Sequence, residues 1–388
     1  MPGPQALGRR IDLVFFDAGG GHRNAATALQ EEIRRQGLPF EVSLVNLQEI
    51  LDPIDFLRKF TGIRIQDLYN KMLRNGWTLG SPQLLLVLQW VIRMYHDASV
   101  RVFERFWLEN APDMVVSLIP HFNLALRESF DRAFPGRPFV TVLTDLADYP
   151  PHFWIERQRQ YLVCGTERAV EQARALGHSE EAIFKTSGMI LHPRFYEPEL
   201  PDPIEERRKL GLDPSLPTGI VLFGGYGPSK MLEILRKIDR SPLAVQLILI
   251  CGRNERLVRA LRREKTRIPI HVEGFTTNIP FYMALSDFFI GKPGPGCISE
   301  ALSKRLPVII DCNAWTLPQE RYNAQWVREK EVGIVVRNHR QIASAVAELL
   351  KPGQLPRFRE RAAVMQNRAI FEVPRILEKI LNDSLGVL

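Results

Sequence analysis

The chain has 388 residues, 45% of them hydrophobic and 24% charged, with a formal net charge of +7. That length accommodates two domains with full cores, and the balance excludes a disordered or low-complexity chain. No apolar run approaches the roughly 18 to 20 residues a transmembrane helix needs, and the four cysteines, Cys164, Cys251, Cys297 and Cys312, form no CxxC pair. Neither a zinc ribbon nor a disulfide framework is suggested by that spacing, and a reducing, cytoplasmic setting fits best.

The first segment, MPGPQALGRRIDLVFF, sets a basic pair before an apolar run, as a signal peptide would. The run from Ile11 to Phe16 is too short for the apolar part of such a signal and reads as the first strand. A glycine triplet follows, and then a helix over about Asn24 to Gln36. FEVSLVNL, DMVVSLI, FVTVLTDL and QYLVCG are further strand candidates separated by helical stretches. This alternation predicts βαβ units and a mainly parallel sheet. Between Phe56 and Trp107 lie FLRKF, YNKMLRNGW, LLLVLQWVIRMYH and RVFERFW. Their aromatic, aliphatic and basic residues fit either an interfacial membrane surface or two ordinary core-packing helices.

Composition shifts at HPRFYEPELPDP, a proline-rich stretch that reads as a linker. The strand and helix pattern then repeats with GIVLFGG, QLILICG, IHVEGF, DFFIGK and PVIIDC. The expected organisation is therefore an N-terminal domain over 1–192, a linker over 193–203, a C-terminal domain over 204–354 and a helical segment over 355–388. Both domains are α/β and Rossmann-like, and a ligand is expected in the cleft between the carboxyl ends of their strands.

Two glycine turns carry the chemistry. In GGGHRNAA, residues Gly19, Gly20 and Gly21 precede His22. A dinucleotide fingerprint would need a glycine where Asn24 stands and an acidic residue where the second strand ends in Asn46, so NAD is disfavoured. No GxxxxGK[ST] loop is present. His22 at a helix N-terminus can take a proton from a hydroxyl, because imidazole titrates near neutrality and the dipole disfavours its cation; equally, it can simply cap the loop. In SDFFIGKPGPGCISEAL, Lys292 follows a strand and Gly294, Pro295 and Gly296 turn the backbone into a helix. Such a helix start is an anion site suited to a diphosphate, and Glu300, one turn in, can accept hydrogen bonds from a ribose diol. Asp145 ends the strand FVTVLTD, where it is either a base or a turn cap.

Taken in order, GGGHRNAA, FVTVLTDL, CGRNERL, GFTTNIPFYMALSD, KPGPGCISEAL and PQERYNA resemble the monogalactosyldiacylglycerol synthase and processive diacylglycerol glucosyltransferase family. That group is related to the enzyme that adds N-acetylglucosamine to lipid I. The resemblance implies a GT-B fold, an acceptor-binding N-terminal domain at a membrane surface and a C-terminal domain holding a UDP-sugar. It implies inversion at the anomeric carbon without a cofactor or a metal held by a DxD motif, and the sequence has no DxD. Phe275 and Thr276 would line the uracil pocket, Gly294 to Gly296 would face the diphosphate, Glu300 would hold the ribose, and Gln319 and Glu320 would contact the hexose. The second glycine loop, with Gly224 and Gly225, would serve the donor. His22 and Asp145 together would take the acceptor proton. The implied partners are a UDP-hexose, diacylglycerol or a related lipid, and an anionic membrane surface on the cytoplasmic side, with no nucleic acid.

The chain departs from the family pattern at Ile119 and Pro150, where histidines are usual, although His121 and His152 lie two residues on. His192, with Arg194 nearby, matches a family arginine. Two other readings stand beside the transferase: a GT-B-fold UDP-N-acetylglucosamine 2-epimerase, and a non-catalytic relative that binds sugar nucleotides.

Overall fold

The computed structural model describes residues 8–17, 20–52, 89–197, 202–224 and 230–385. These residues form two compact units. The first comprises the described residues up to Pro193 together with those from Arg368 onward, and the second comprises those from Arg194 to Asn367.

The first unit carries a six-stranded sheet in the order β2-β1-β3-β4-β5-β6, every pairing parallel. The strands are β1 (Arg9–Phe15), β2 (Phe40–Asn46), β3 (Met114–Ser117), β4 (Phe139–Val142), β5 (Tyr161–Cys164) and β6 (Ile183–Lys185). Period-2 geometry sends alternate side chains to opposite faces. Ile11, Leu13, Met114 and Val116 pack against the helices Gly21–Arg35 and Ala369–Leu385, while Val14 and Val115 join Phe103, Trp107, Leu126 and Phe130 from the helices His96–Asn110 and Asn123–Ala133. Helices on both faces explain why β3 and β4 are buried along their whole length, as a parallel sheet demands.

The second unit repeats the plan with β7 (Thr218–Leu222), β8 (Gln246–Ile250), β9 (Ile270–Glu273), β10 (Phe288–Gly291), β11 (Val308–Asp311) and β12 (Gly333–Val336), again all parallel. Its order is β12-β11-β10-β7-β8-β9. In each sheet the direction of strand addition reverses at one place, between β1 and β3 in the first and between β7 and β10 in the second. Open parallel sheets bind ligands at the carboxyl ends of the strands beside such a reversal. Gly291 ends β10 there with no room for a side chain, since a Cβ would stand 2.5 Å from the Leu222 carbonyl oxygen of β7.

The helical segment expected over 355–388 is divided between the units. The helix Gln354–Val364 belongs to the second, whereas Ala369–Leu385 returns to the first and buries Val373, Leu377, Ile380 and Leu381 against its core. At roughly 1.5–3 kcal/mol per buried aliphatic side chain, those contacts hold the chain end firmly. Of the region 56–107, residues 56–88 lie outside the described residues. The rest includes one ordinary core-packing helix, His96–Asn110, preceded by the exposed Trp90 and Met94. Among the described residues no helix is long and apolar enough to cross a membrane.

Candidate active site

The first unit gathers polar groups beside the β1/β3 reversal. Gly20 caps the helix Gly21–Arg35 in a left-handed conformation, φ 81°, which only glycine adopts cheaply. A Cβ on Gly20 or Gly21 would meet nothing within 4 Å, so the backbone here borders open space; Gly19 lies outside the described residues. His22 follows in the first helical turn. Its Nδ1 lies 3.1 Å from Thr144 Oγ1, just beyond β4, and its ring stands 5.9 Å from that of Trp154. The surrounding protein disfavours the imidazolium and brings the pKa down to about 4, against a smaller opposing contribution from the Leu118 backbone. At neutral pH the ring is therefore an uncharged imidazole, able to accept a proton.

Asp145 is buried beside Thr144, and its Oδ2 accepts the Trp154 indole N–H at 2.9 Å. The structure thus links His22, Thr144, Asp145 and Trp154 in one cluster. Trp154 is placed by a loop built around Asp148, whose carboxylate accepts the backbone N–H groups of His152 at 3.0 Å and Trp154 at 2.6 Å. Burial raises the Asp148 pKa, and those N–H groups oppose it. Asn123 Nδ2 pins the same loop through the carbonyls of Ile119 and Trp154. His121 donates its backbone N–H to Phe153 and packs its ring edge-on at 4.2 Å; burial brings its pKa down to about 3. His192 is elsewhere occupied, 3.4 Å from Glu31. Thr144 was legible as the neighbour of Asp145, whereas no local signal marks Trp154, which the loop brings back from nine residues on.

The second unit holds a separate cluster beside the β7/β10 reversal. Lys292, next after β10, donates to Glu320 Oε1 at 2.7 Å. Gly294 caps the helix Pro295–Ser303, which has no side-chain cap, so its first N–H groups remain available to an anion. A Cβ on Gly294 would stand 3.2 Å from Lys292 Cε and 3.6 Å from Glu320 Oε1; one on Gly224, φ 91°, would stand 4.0 Å from the same Lys292 atom. Lys292, Glu320, Gly294 and Gly224 are thus neighbours, while Gly225 lies outside the described residues. Pro295 and Gly296 open the helix, and Asn323 Nδ2 holds the turn through the Pro293 carbonyl at 2.8 Å. Gln319 adjoins Glu320 in the helix Pro318–Glu329.

Glu300 lies on the Pro295–Ser303 helix, and its carboxyl has no hydrogen-bond partner among the described residues. Burial pushes its pKa up to about 7. A half-buried acceptor with no donor from the protein is a good ligand contact. At the carboxyl ends of β8 and β9, a cavity of about 630 Å³ is lined by Gly252, Arg253, Glu255, Val258, Arg259, Gly274 and Phe275. Phe275 is 57% exposed, with the Arg253 guanidinium 4.6 Å from its ring centre, so a flat platform faces outward. Thr276 is occupied locally, its hydroxyl accepting the Asn278 N–H at 3.0 Å. Among the described residues no group of three His, Cys, Asp or Glu is placed to hold a metal.

Residues 220–380 match the glycosyltransferase family 28 C-terminal domain. Along the whole architecture the chain is similar to the crystal structure of Acinetobacter baumannii MurG, with a TM-score of 0.63 and 13% identity over 96% of this chain and 99% of the other. It is similar also to a putative UDP-N-acetylglucosamine 2-epimerase from Listeria monocytogenes, with a TM-score of 0.61 and 14% identity over 98% and 97%. Two parallel six-stranded sheets with flanking helices are the GT-B fold, and with a family 28 C-terminal domain over 220–380 the protein is a glycosyltransferase. More particularly, it is a hexosyltransferase homologous to the monogalactosyldiacylglycerol synthases. Monogalactosyldiacylglycerol synthase 1 of Arabidopsis thaliana is 26% identical over 390 residues, 97% of this chain and 70% of the plant protein.

Proposed function

We propose that the protein transfers a hexose from a UDP-sugar to diacylglycerol at the cytoplasmic, anionic face of a membrane, with inversion at the anomeric carbon. The observation that carries this reading is the unpartnered Glu300 carboxyl, which a ribose diol would satisfy, in the same unit as the uncapped helix start. The product named by the homologues supports the lipid acceptor, and the exposed Trp90 and Met94 support an interfacial surface.

In this reading the second unit holds the donor. Phe275 and Thr276 border the uracil, the Gly294 and Gly296 N–H groups together with Lys292 take the diphosphate, and Gln319 and Glu320 reach the sugar. The first unit activates the acceptor. As the acceptor oxygen bonds to the anomeric carbon, the bond from that carbon to UDP breaks and the acceptor proton passes to the His22–Asp145 pair. Developing positive charge on the sugar and negative charge on UDP make this one displacement with oxocarbenium character. His22 suits the task because it is neutral before the reaction, and Trp154 fixes the Asp145 carboxylate. No metal enters this scheme, since Lys292 and the helix start supply the positive potential.

The epimerase reading shares the fold, but homology along 97% of the chain runs to transferases. The test is to incubate the protein with UDP-galactose or UDP-glucose and diacylglycerol vesicles and to read the anomeric configuration of the glycolipid by NMR. A β-linked product from an α-linked donor is expected. An α-linked product, or conversion of a UDP-sugar to its epimer without any lipid product, contradicts the proposal.

A further inference from the structure

A second lysine–carboxylate pair lies at the same edge of the second sheet. Lys230 opens the helix Lys230–Asp239, which follows β7, and its Nζ stands 3.1 and 3.3 Å from the two carboxylate oxygens of Asp311, the last residue of β11. Asp311 is almost fully buried, and Lys230 is more than two-thirds so. The same ammonium lies 4.3 Å from the centre of the Phe223 ring. Phe223 adjoins Gly224, whose absent Cβ would stand 4.0 Å from Lys292 Cε. Lys230 and Lys292 therefore both approach the Phe223–Gly224 segment that ends β7, beside the β7/β10 reversal.

The two pairs differ in geometry. Lys292 binds Glu320 through one short contact of 2.7 Å, whereas Lys230 is spread over two long ones. An ammonium carries three donors that rotate freely, so Asp311 and the ring face leave Lys230 able to turn a donor outward. A buried lysine is costly unless its charge is compensated, and a carboxylate that holds it in place between ligand-binding events supplies that compensation.

We propose that Lys230 is a second diphosphate ligand of the donor site, held in position by Asp311 until the nucleotide arrives. This rests on the donor reading given above and adds a residue to it. With Lys292 beside Gly224 and Lys230 over the ring of the adjoining Phe223, a diphosphate at the end of β7 comes within reach of two ammonium groups. Asp311 is then the resting counter-ion that the diphosphate displaces, and the Phe223 ring is the floor over which the ammonium moves.

The test compares binding of UDP and of uridine, which lacks the phosphates, to the full-length protein and its Lys230→Met and Asp311→Asn variants, by calorimetry. Thermal unfolding of each variant runs alongside. Lys230→Met is expected to weaken UDP by about 10- to 100-fold, the range for losing a hydrogen bond to a charged group, while uridine affinity stays at the wild-type value. Asp311→Asn is expected to bind UDP at least as tightly as wild type, because a competitor for the ammonium has gone. Equal losses of UDP and uridine in both variants would make the pair a strut and overturn the proposal. So would unchanged UDP affinity in Lys230→Met, and in that case UDP binding by the wild type leaves the donor reading standing. If the wild type binds neither compound, the donor reading falls and takes this proposal with it.

Discussion

Replacing Glu300 by glutamine should make the protein more stable while weakening its hold on UDP. Burial pushes this carboxyl from 4.5 to about 7. Because the native pKa lies above the unfolded one, the native state keeps the proton longer, so its stability is full below about 4.5 and is lost as pH rises through about 7. At about 1.4 kcal/mol per pKa unit, the ionised carboxylate costs the native state up to roughly 3 kcal/mol at pH 8. Solvent reaching the edge of the half-buried group lowers this, so a gain of about 1–3 kcal/mol is expected for Glu300→Gln at pH 8. At pH 5 the gain should shrink below about 1 kcal/mol, since most of the cost has then been relieved by protonation. Urea unfolding of wild type and variant at the two pH values reads this directly, and the comparison cancels the other titrating groups. Ribose hydroxyls bind the carboxylate form, so wild-type UDP affinity should fall about tenfold per pH unit below 7, with the variant weak and flat throughout. A variant no more stable than wild type at pH 8, or a gap of equal size at pH 5, would mean that burial does not penalise the ionised Glu300 carboxylate.

Other expectations concern the first unit. His22→Ala and Asp145→Asn should each cut kcat about 10²- to 10⁴-fold, the span of general-base catalysis, with UDP affinity unchanged because the donor groups lie in the other unit; single-turnover kinetics and calorimetry check the two halves. Trp154→Phe removes the 2.9 Å donor to Asp145 Oδ2 and should cost about 1–3 kcal/mol in urea unfolding, together with a fall in kcat at constant UDP affinity. Leu377 is fully buried against the first unit's core, and Leu377→Ala should lower stability by about 2–5 kcal/mol, measured by the same unfolding.

Both glycine turns were legible because a turn before a helix is a local event, written in consecutive residues. Mainly apolar runs gave β1, β3, β4, β5 and most of the second sheet for the same reason. The strands β6 and β12 escaped, since Ile183–Lys185 is short and Gly333–Val336 lies at an edge; both are only partly buried and lack the long apolar run of a central strand. The C-terminal stretch was readable as helical, but its division between the units depends on Val373, Leu377, Ile380 and Leu381 finding the far face of β1 and β3, which no local pattern encodes. In the site, Glu300, Lys292 and His22 announced themselves by position in their turns. The contacts that give them meaning join residues far apart in the chain: His22 with Thr144 across 122 positions, and Lys230 with Asp311 across 81. Such pairs follow from the strand order and not from any neighbouring residue.

Transfer of a sugar from a UDP donor to a lipid liberates UDP in step with the lipid product. Its most direct measurement is UDP release from UDP-galactose, UDP-glucose and UDP-N-acetylglucosamine, each with and without diacylglycerol vesicles. Release is expected with one of these donors, dependent on the vesicles and lost in His22→Ala. Release that is indifferent to lipid, or none with any donor from a protein that binds UDP, would contradict transfer to a lipid.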